Sequence, residues 1–151
     1  MTAWLRHLPA IALLALLAAA CSRPPDAQAI RAAIEGMAQA ANAGRADDVL
    51  EHVAGDFTGN QGAYDREAVA RLVRAQLLAR SVSVRVGNVA VEPAGDRATA
   101  RFDLHVRDDS GRWLLERSAT LAFVTGWRRE GGDWRCVNAA WSRDQGLGGE
   151  R

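Results

Sequence analysis

Apolar and polar residues recur along this chain with two different periods, and the change between them divides it. Ile30, Ile34, Met37, Ala38 and Ala41 follow one another at steps that form a single helical stripe. Asp26 stands where it can cap that helix, and Gly44 closes it. A short second helix is expected from about Ala46 to Val53, with Val49, Leu50 and Val53 turned inward. Gly55 to Gly62 reads as a loop interrupted by Phe57, and Asp65 caps a third helix whose apolar face is Val69, Leu72, Val73 and Leu77.

At Ser81 the period falls to two. Val82, Val84 and Val86 alternate, and Gly87-Asn88 then shifts the phase to Val89 and Val91, the mark of a β-bulge. The next strand sets Ala98, Ala100, Phe102, Leu104 and Val106 against Thr99, Arg101, Asp103, His105 and Arg107. Asp108-Asp109-Ser110-Gly111 is a hairpin turn into a long strand, about Trp113 to Arg128, and Glu130-Gly131-Gly132-Asp133 leads to a last one, Trp134 to Ser142. Helices followed by a curved antiparallel meander make an α+β domain, with three helices covering the apolar side of the sheet. Phe102, Leu104, Leu121 and Phe123 are expected in its core.

This order resembles the nuclear transport factor 2-like superfamily, with its ketosteroid-isomerase-like and polyketide-cyclase-like members. The resemblance covers about Asp26 to Ser142. It rests on Gly44-Arg45-Ala46-Asp47-Asp48, on Asp56-Phe57, and on the strand from Gly132-Asp133-Trp134-Arg135 to Trp141-Ser142. It implies a cone with an apolar pocket between sheet and helices, and a possible homodimer through the sheet. Many relatives carry pocket histidines near the end of the last strand; Asn138 and Ala140 take those places here, so the usual titratable group is missing.

The start of the chain has a different character. Arg6 and His7 precede an unbroken apolar run, Ile11 to Ala20, and Ala18-Ala19-Ala20-Cys21 follows the pattern of a cleaved secretory signal. A cysteine directly behind the cut resembles a bacterial lipoprotein signal, in which the cysteine is diacylated on sulfur and acylated on its new amino group. The expected organisation is a signal over 1–20, a lipidated tether over 21–25 stiffened by Pro24-Pro25, the domain over 26–142 and a Gly-rich tail over 143–151. The apolar run is shorter than the ~20 residues that span a bilayer. Lipid is therefore the expected membrane partner, and Ser22 behind the cysteine resembles lipoproteins sorted to the outer membrane, facing the periplasm.

Charge and composition remove several functions. All 19 basic residues are Arg; without Arg6 of the signal, 18 remain against 18 Asp plus Glu. That balanced surface does not suit nucleic acid, which needs a basic patch. The absence of Lys excludes Schiff-base catalysis and a phosphate-loop lysine. With Cys21 committed to lipid, Cys136 stands alone and no intrachain disulfide can form. A nucleophile elbow, zinc spacing and dinucleotide fingerprint are all missing, so no cofactor is expected. Asp48, His52 and Asp56 are spaced by four, but the second helix ends too soon to hold them as one metal site.

The candidate pocket residues are Arg117, Asn138, Asp56, Tyr64, Trp113 and Trp127. Arg117 is out of place among Trp113, Leu115, Ala119, Leu121, Phe123 and Trp127, and a buried guanidinium needs a carboxylate, a carbonyl or a ligand anion. It could reach the cone beside Asn138 and pair with Asp56 or with the acidic head of an apolar ligand, or lie at a bulge or snorkel to solvent. Three functions stay open: a non-catalytic small-ligand-binding or accessory lipoprotein, an isomerase, dehydratase or cyclase using Asp56 with Tyr64, and a structural partner in an envelope complex.

Overall fold

The computed structural model describes residues 25–78, 82–108 and 118–143. The signal, Cys21, the tether as far as Pro24, the turn residues 109–111, Trp113, Arg117 and the tail beyond 143 lie outside the described residues. In chain order the elements are α1 (Asp26–Asn42), α2 (Ala46–Glu51), β1 (Val53–Gly59), β2 (Tyr64–Asp65) and α3 (Arg66–Leu78). The strands β3 (Val82–Val86), β4 (Ala90–Ala94), β5 (Arg97–Asp108), β6 (Ser118–Glu130) and β7 (Asp133–Arg143) follow. The fold is α+β, with N-terminal helices packed on a sheet of order β2-β1-β7-β6-β5-β3 and β4 also beside β5.

The helices start and stop for local reasons. Asp65 caps α3 as expected: its Oδ1 accepts from the Ala68 N–H at 2.7 Å. Asp47 and Asp48 sit in the first turn of α2, where the helix dipole favours them, and Asp47 accepts from Arg74 of α3 at 2.9 Å. The α1 stripe buries Ile30, Ile34 and Ala40. At its end the Asn42 side-chain amide donates to the Val84 carbonyl at 2.8 Å and accepts from the Val84 N–H at 2.7 Å, covering the edge of β3. Among the described residues, no helix is long and apolar enough to cross a membrane.

Three expectations are corrected. The segment read as a loop is largely strand β1, which pairs in parallel with β7, so the sheet is mixed rather than wholly antiparallel. Two glycines and exposed Asp56 and Thr58 hide that strand's alternation, and only Phe57 shows its inward face. Because the chain enters β1 at Val53, α2 ends at Glu51. The bulge at Gly87-Asn88 is present as the break between β3 and β4. Val86 pairs with Leu104 and Ala90 with Arg101, so three residues oppose two.

The third correction concerns β7. Gly126 pairs with Asn138 but Trp127 with Cys136, which leaves Val137 as an extra residue. That bulge reverses the alternation. Trp134 and Cys136 face the core, Asn138 and Ala140 are exposed, and Ala139 and half-buried Trp141 take the inward positions. Asn138 therefore lies outside the cone, packed over Gly126, where a Cβ would meet its amide at 2.6 Å.

Candidate functional site

The inner face of the sheet is built in rows that cross β5, β6 and β7. Ala98, Trp127 and Cys136 form one row, and Ala100, Thr125 and Ala139 the next; all six are buried. Ile30 and Ile34 of α1, Leu50 of α2, Phe57 of β1 and Ala70 of α3 belong to the same core. The indole N–H of Trp127 donates to Thr125 Oγ1 at 2.9 Å, and that hydroxyl donates to the Ala100 carbonyl at 3.1 Å, so the side-chain polar groups of Trp127 and Thr125 are satisfied.

Cover thins from the third row on. Phe102, Phe123 and Trp141 are only half-buried, as are Leu104 with Leu121 and Val106 with Ala119 beyond them. The residues expected at the centre of the core thus line its open end instead, because the helices cover only the other end fully. The rings form a row: Phe102 stacks on Phe123 at 5.3 Å and 2°, Phe123 on Trp141 at 5.9 Å, and Trp141 meets Tyr64 at 5.3 Å and 43°. Tyr64, on β2, is 37% exposed and ends the row at solvent.

Trp141 is held in that row from behind. Asn60, at φ 44°, donates its N–H to the Ala139 carbonyl and accepts from the Trp141 N–H, both at 2.8 Å. Asn adopts this left-handed backbone more readily than most residues. Gly59 gives the ring its space: a Cβ there would meet two Trp141 ring carbons at 2.9 Å and Phe57 Cε1 at 3.3 Å. Gly59→Ala should cost about 1–3 kcal/mol by overpacking. Gly126→Ala should cost less, since the exposed Asn138 amide can swing away. Urea titration of both variants checks the order, and equal losses would show that Trp141 is free to move.

A family model for the SnoaL-like domain matches residues 23–139. The chain belongs to the SnoaL-like domain family. None of the curated proteins is similar enough to count as a match. Solved structures resemble it in fold. One is an NTF2-like protein with a cystatin-like fold from Novosphingobium aromaticivorans, 22% identical, with 97% of this chain and 95% of that one covered at a TM-score of 0.66. Another is a protein of unknown function with a cystatin-like fold from Nostoc punctiforme, 20% identical over 83% of this chain and 96% of that one, also at 0.66. An NTF2-like protein of unknown function from Pseudomonas putida is 19% identical over 81% and 89%, again at 0.66.

In this SnoaL-like domain the other candidate residues do not converge. Asp56 is exposed and receives two hydrogen bonds from Arg128, at 2.9 and 3.0 Å, while Arg128 also pairs with Glu130. The Arg128 hydrogen bonds hold the Asp56 carboxyl below the usual carboxylate range. A depressed carboxylate adds stability above its unfolded pKa and loses it as pH falls through the folded value; for so exposed a pair the effect is small. Tyr64 meets Trp141 and not Asp56. Trp127, at 2% exposure, is core and not pocket lining. Burial pushes the Cys136 thiol up to about 12, so it is a packed apolar group and no nucleophile. Asp103 and His105 are exposed on the outer face, as the alternation indicated.

Missed in the sequence was the inward turn of Trp141. A signal existed: after Trp134 and Cys136 the apolar phase moves to Ala139 and Trp141, the same shift that marks the bulge at Gly87-Asn88.

Proposed function

We propose that this SnoaL-like domain is a non-catalytic, ligand-binding accessory protein of the cell envelope, anchored to the outer membrane through lipid on Cys21. In this reading the half-covered inner face takes a small, largely apolar ligand with a planar part against Phe102, Phe123, Trp141 and Tyr64. One observation carries it: the inner face is buried at one end and half-open, apolar and aromatic at the other. Large exposed or half-exposed apolar surface of this kind marks binding sites.

The case against catalysis rests on what faces that surface. No Asp, Glu or His lies on the inner face between Ala98 and Val106, Ala119 and Trp127, or Trp134 and Trp141 among the described residues. General acid–base chemistry needs such a group within hydrogen-bond reach of substrate. The other reading, an isomerase or dehydratase, has Tyr64 as its donor at the row.

Native mass spectrometry of protein purified from its own membrane tests the proposal. A bound apolar mass should be present, and Trp141→Ala should remove it while the circular dichroism stays native. A wild-type protein without bound ligand, or a Trp141→Ala protein that keeps it, would refute the site. Turnover that survives ligand titration and vanishes in Tyr64→Phe would establish the enzyme instead.

A further inference from the structure

The outer face of the sheet, away from the helices, carries a grid of donors where β3, β5 and β6 run side by side. Register sets Arg85, His105 and Thr120 in one row across the three strands, and Ser83, Arg107 and Ser118 in the next. Alternation turns all six to the same face. They surround a depression of about 390 Å³, and no Asp or Glu lines it among the described residues. Strands lie ~4.8 Å apart and like-facing residues ~6.6 Å apart along each, so one small anion can reach both rows.

Two of these groups are set out toward solvent. His105 Nδ1 lies 3.0 Å from Thr120 Oγ1, which fixes the ring from the β6 side. Its Nε2 turns the other way, toward β3, where a Cβ built on Gly87 would lie 3.6 Å from it. Glycine supplies no side chain to cover that nitrogen. Arg85 stands opposite His105 on β3, is exposed, and makes no ion pair or hydrogen bond among the described residues. Arg101, on the same face two rows further along, is different: Glu92 accepts from it at 3.0 Å. Arg107 brings a second guanidinium to the depression. Two guanidinium forks, an imidazole and hydroxyls suit a group with several oxygens and more than one negative charge.

We infer that this grid is an anion site, which takes the phosphate of a small ester or of a lipid headgroup. Arg85 and His105 Nε2 donate to the phosphate oxygens, with Thr120 donating to Nδ1 so that Nε2 carries the hydrogen. Asp103, one row beyond His105, flanks Gly87 and repels the anion from that side, so the phosphate sits toward Arg107. The site lies on the opposite face of the sheet from the aromatic row and does not depend on it.

The test is an NMR titration of the full chain in neutral detergent micelles, following the histidine ring signals as glycerol 3-phosphate is added. An ionic strength of about 0.15 M screens diffuse attraction beyond ~8 Å. Glycerol 3-phosphate should shift one imidazole signal saturably, the one missing from His105→Gln, and bind more tightly than acetate. Arg85→Gln should weaken binding about tenfold, whereas Arg101→Gln, which removes the same charge from the same face, should leave it unchanged. Dioleoylphosphatidate in the micelles is the second arm. A shift with that lipid and none with glycerol 3-phosphate would assign the phosphate to a headgroup. No saturable shift with either, equal binding of acetate, or an Arg101→Gln protein as weakened as Arg85→Gln would each overturn the inference.

Discussion

Trp127→Ala is expected to remove most of the stability of this domain. The side chain is 2% exposed in the row of Ala98 and Cys136, with α1 and β1 packed above it. Truncating a buried aromatic ring costs about 3–5 kcal/mol through lost burial and the cavity that remains. A domain of this size has only about 5–15 kcal/mol to lose. The N–H is a smaller part of the effect. Trp127→Phe keeps an aromatic ring but loses the indole's second ring with its donor; Thr125 Oγ1 still bonds the Ala100 carbonyl, so the hydrogen-bond part of its loss should be about 1 kcal/mol. Phe102, which the sequence had placed at the centre of the core, is half-buried, and its truncation should cost less than that of Trp127. Urea denaturation followed by circular dichroism ranks the three. A loss below about 1 kcal/mol for Trp127→Ala would mean that this end of the sheet is not the core.

Cys21→Ser is expected to abolish membrane attachment as a mature lipoprotein. The proposed anchor depends on one sulfur and one new amino group, and serine supplies no thiol for the first acylation. Each buried methylene contributes about 0.8 kcal/mol, and three chains exceed the two signals that stable anchoring needs. The wild type should fractionate with membranes and show a mass equal to the chain from residue 21 plus three acyl groups. The variant should accumulate as precursor with residues 1–20 attached. A mature wild-type chain ending in an unmodified amino-terminal cysteine would refute the lipid anchor. Either outcome leaves the domain fold untouched, since the described helices and strands begin at Asp26.

Periodicity alone placed the three helices, the β3–β4 bulge, the inward face of β5 and the outward position of Asp103 and His105. Those features depend on near neighbours in the chain, which the spacing of apolar residues records directly. The α+β class followed because amphipathic helices and one-sided strands must cover each other. Asp65 as the cap of α3 was legible for the same reason, since a cap acts on an N–H three residues on.

The site depended on contacts far apart in sequence. Strand β1 exists because β7 offers it an edge, and nothing in Gly55-Asp56-Phe57-Thr58-Gly59 alone demands a strand. The bulge at Val137 moved Asn138 out of the cone and Trp141 into it, since one extra residue exchanges the two faces of a strand. Asp56 was expected near a buried arginine and is held instead by Arg128, which lies next to it only once β1, β7 and β6 are side by side. Sequence determined which faces are apolar; which end of the apolar face stays open was decided by how far three short helices reach across seven strands.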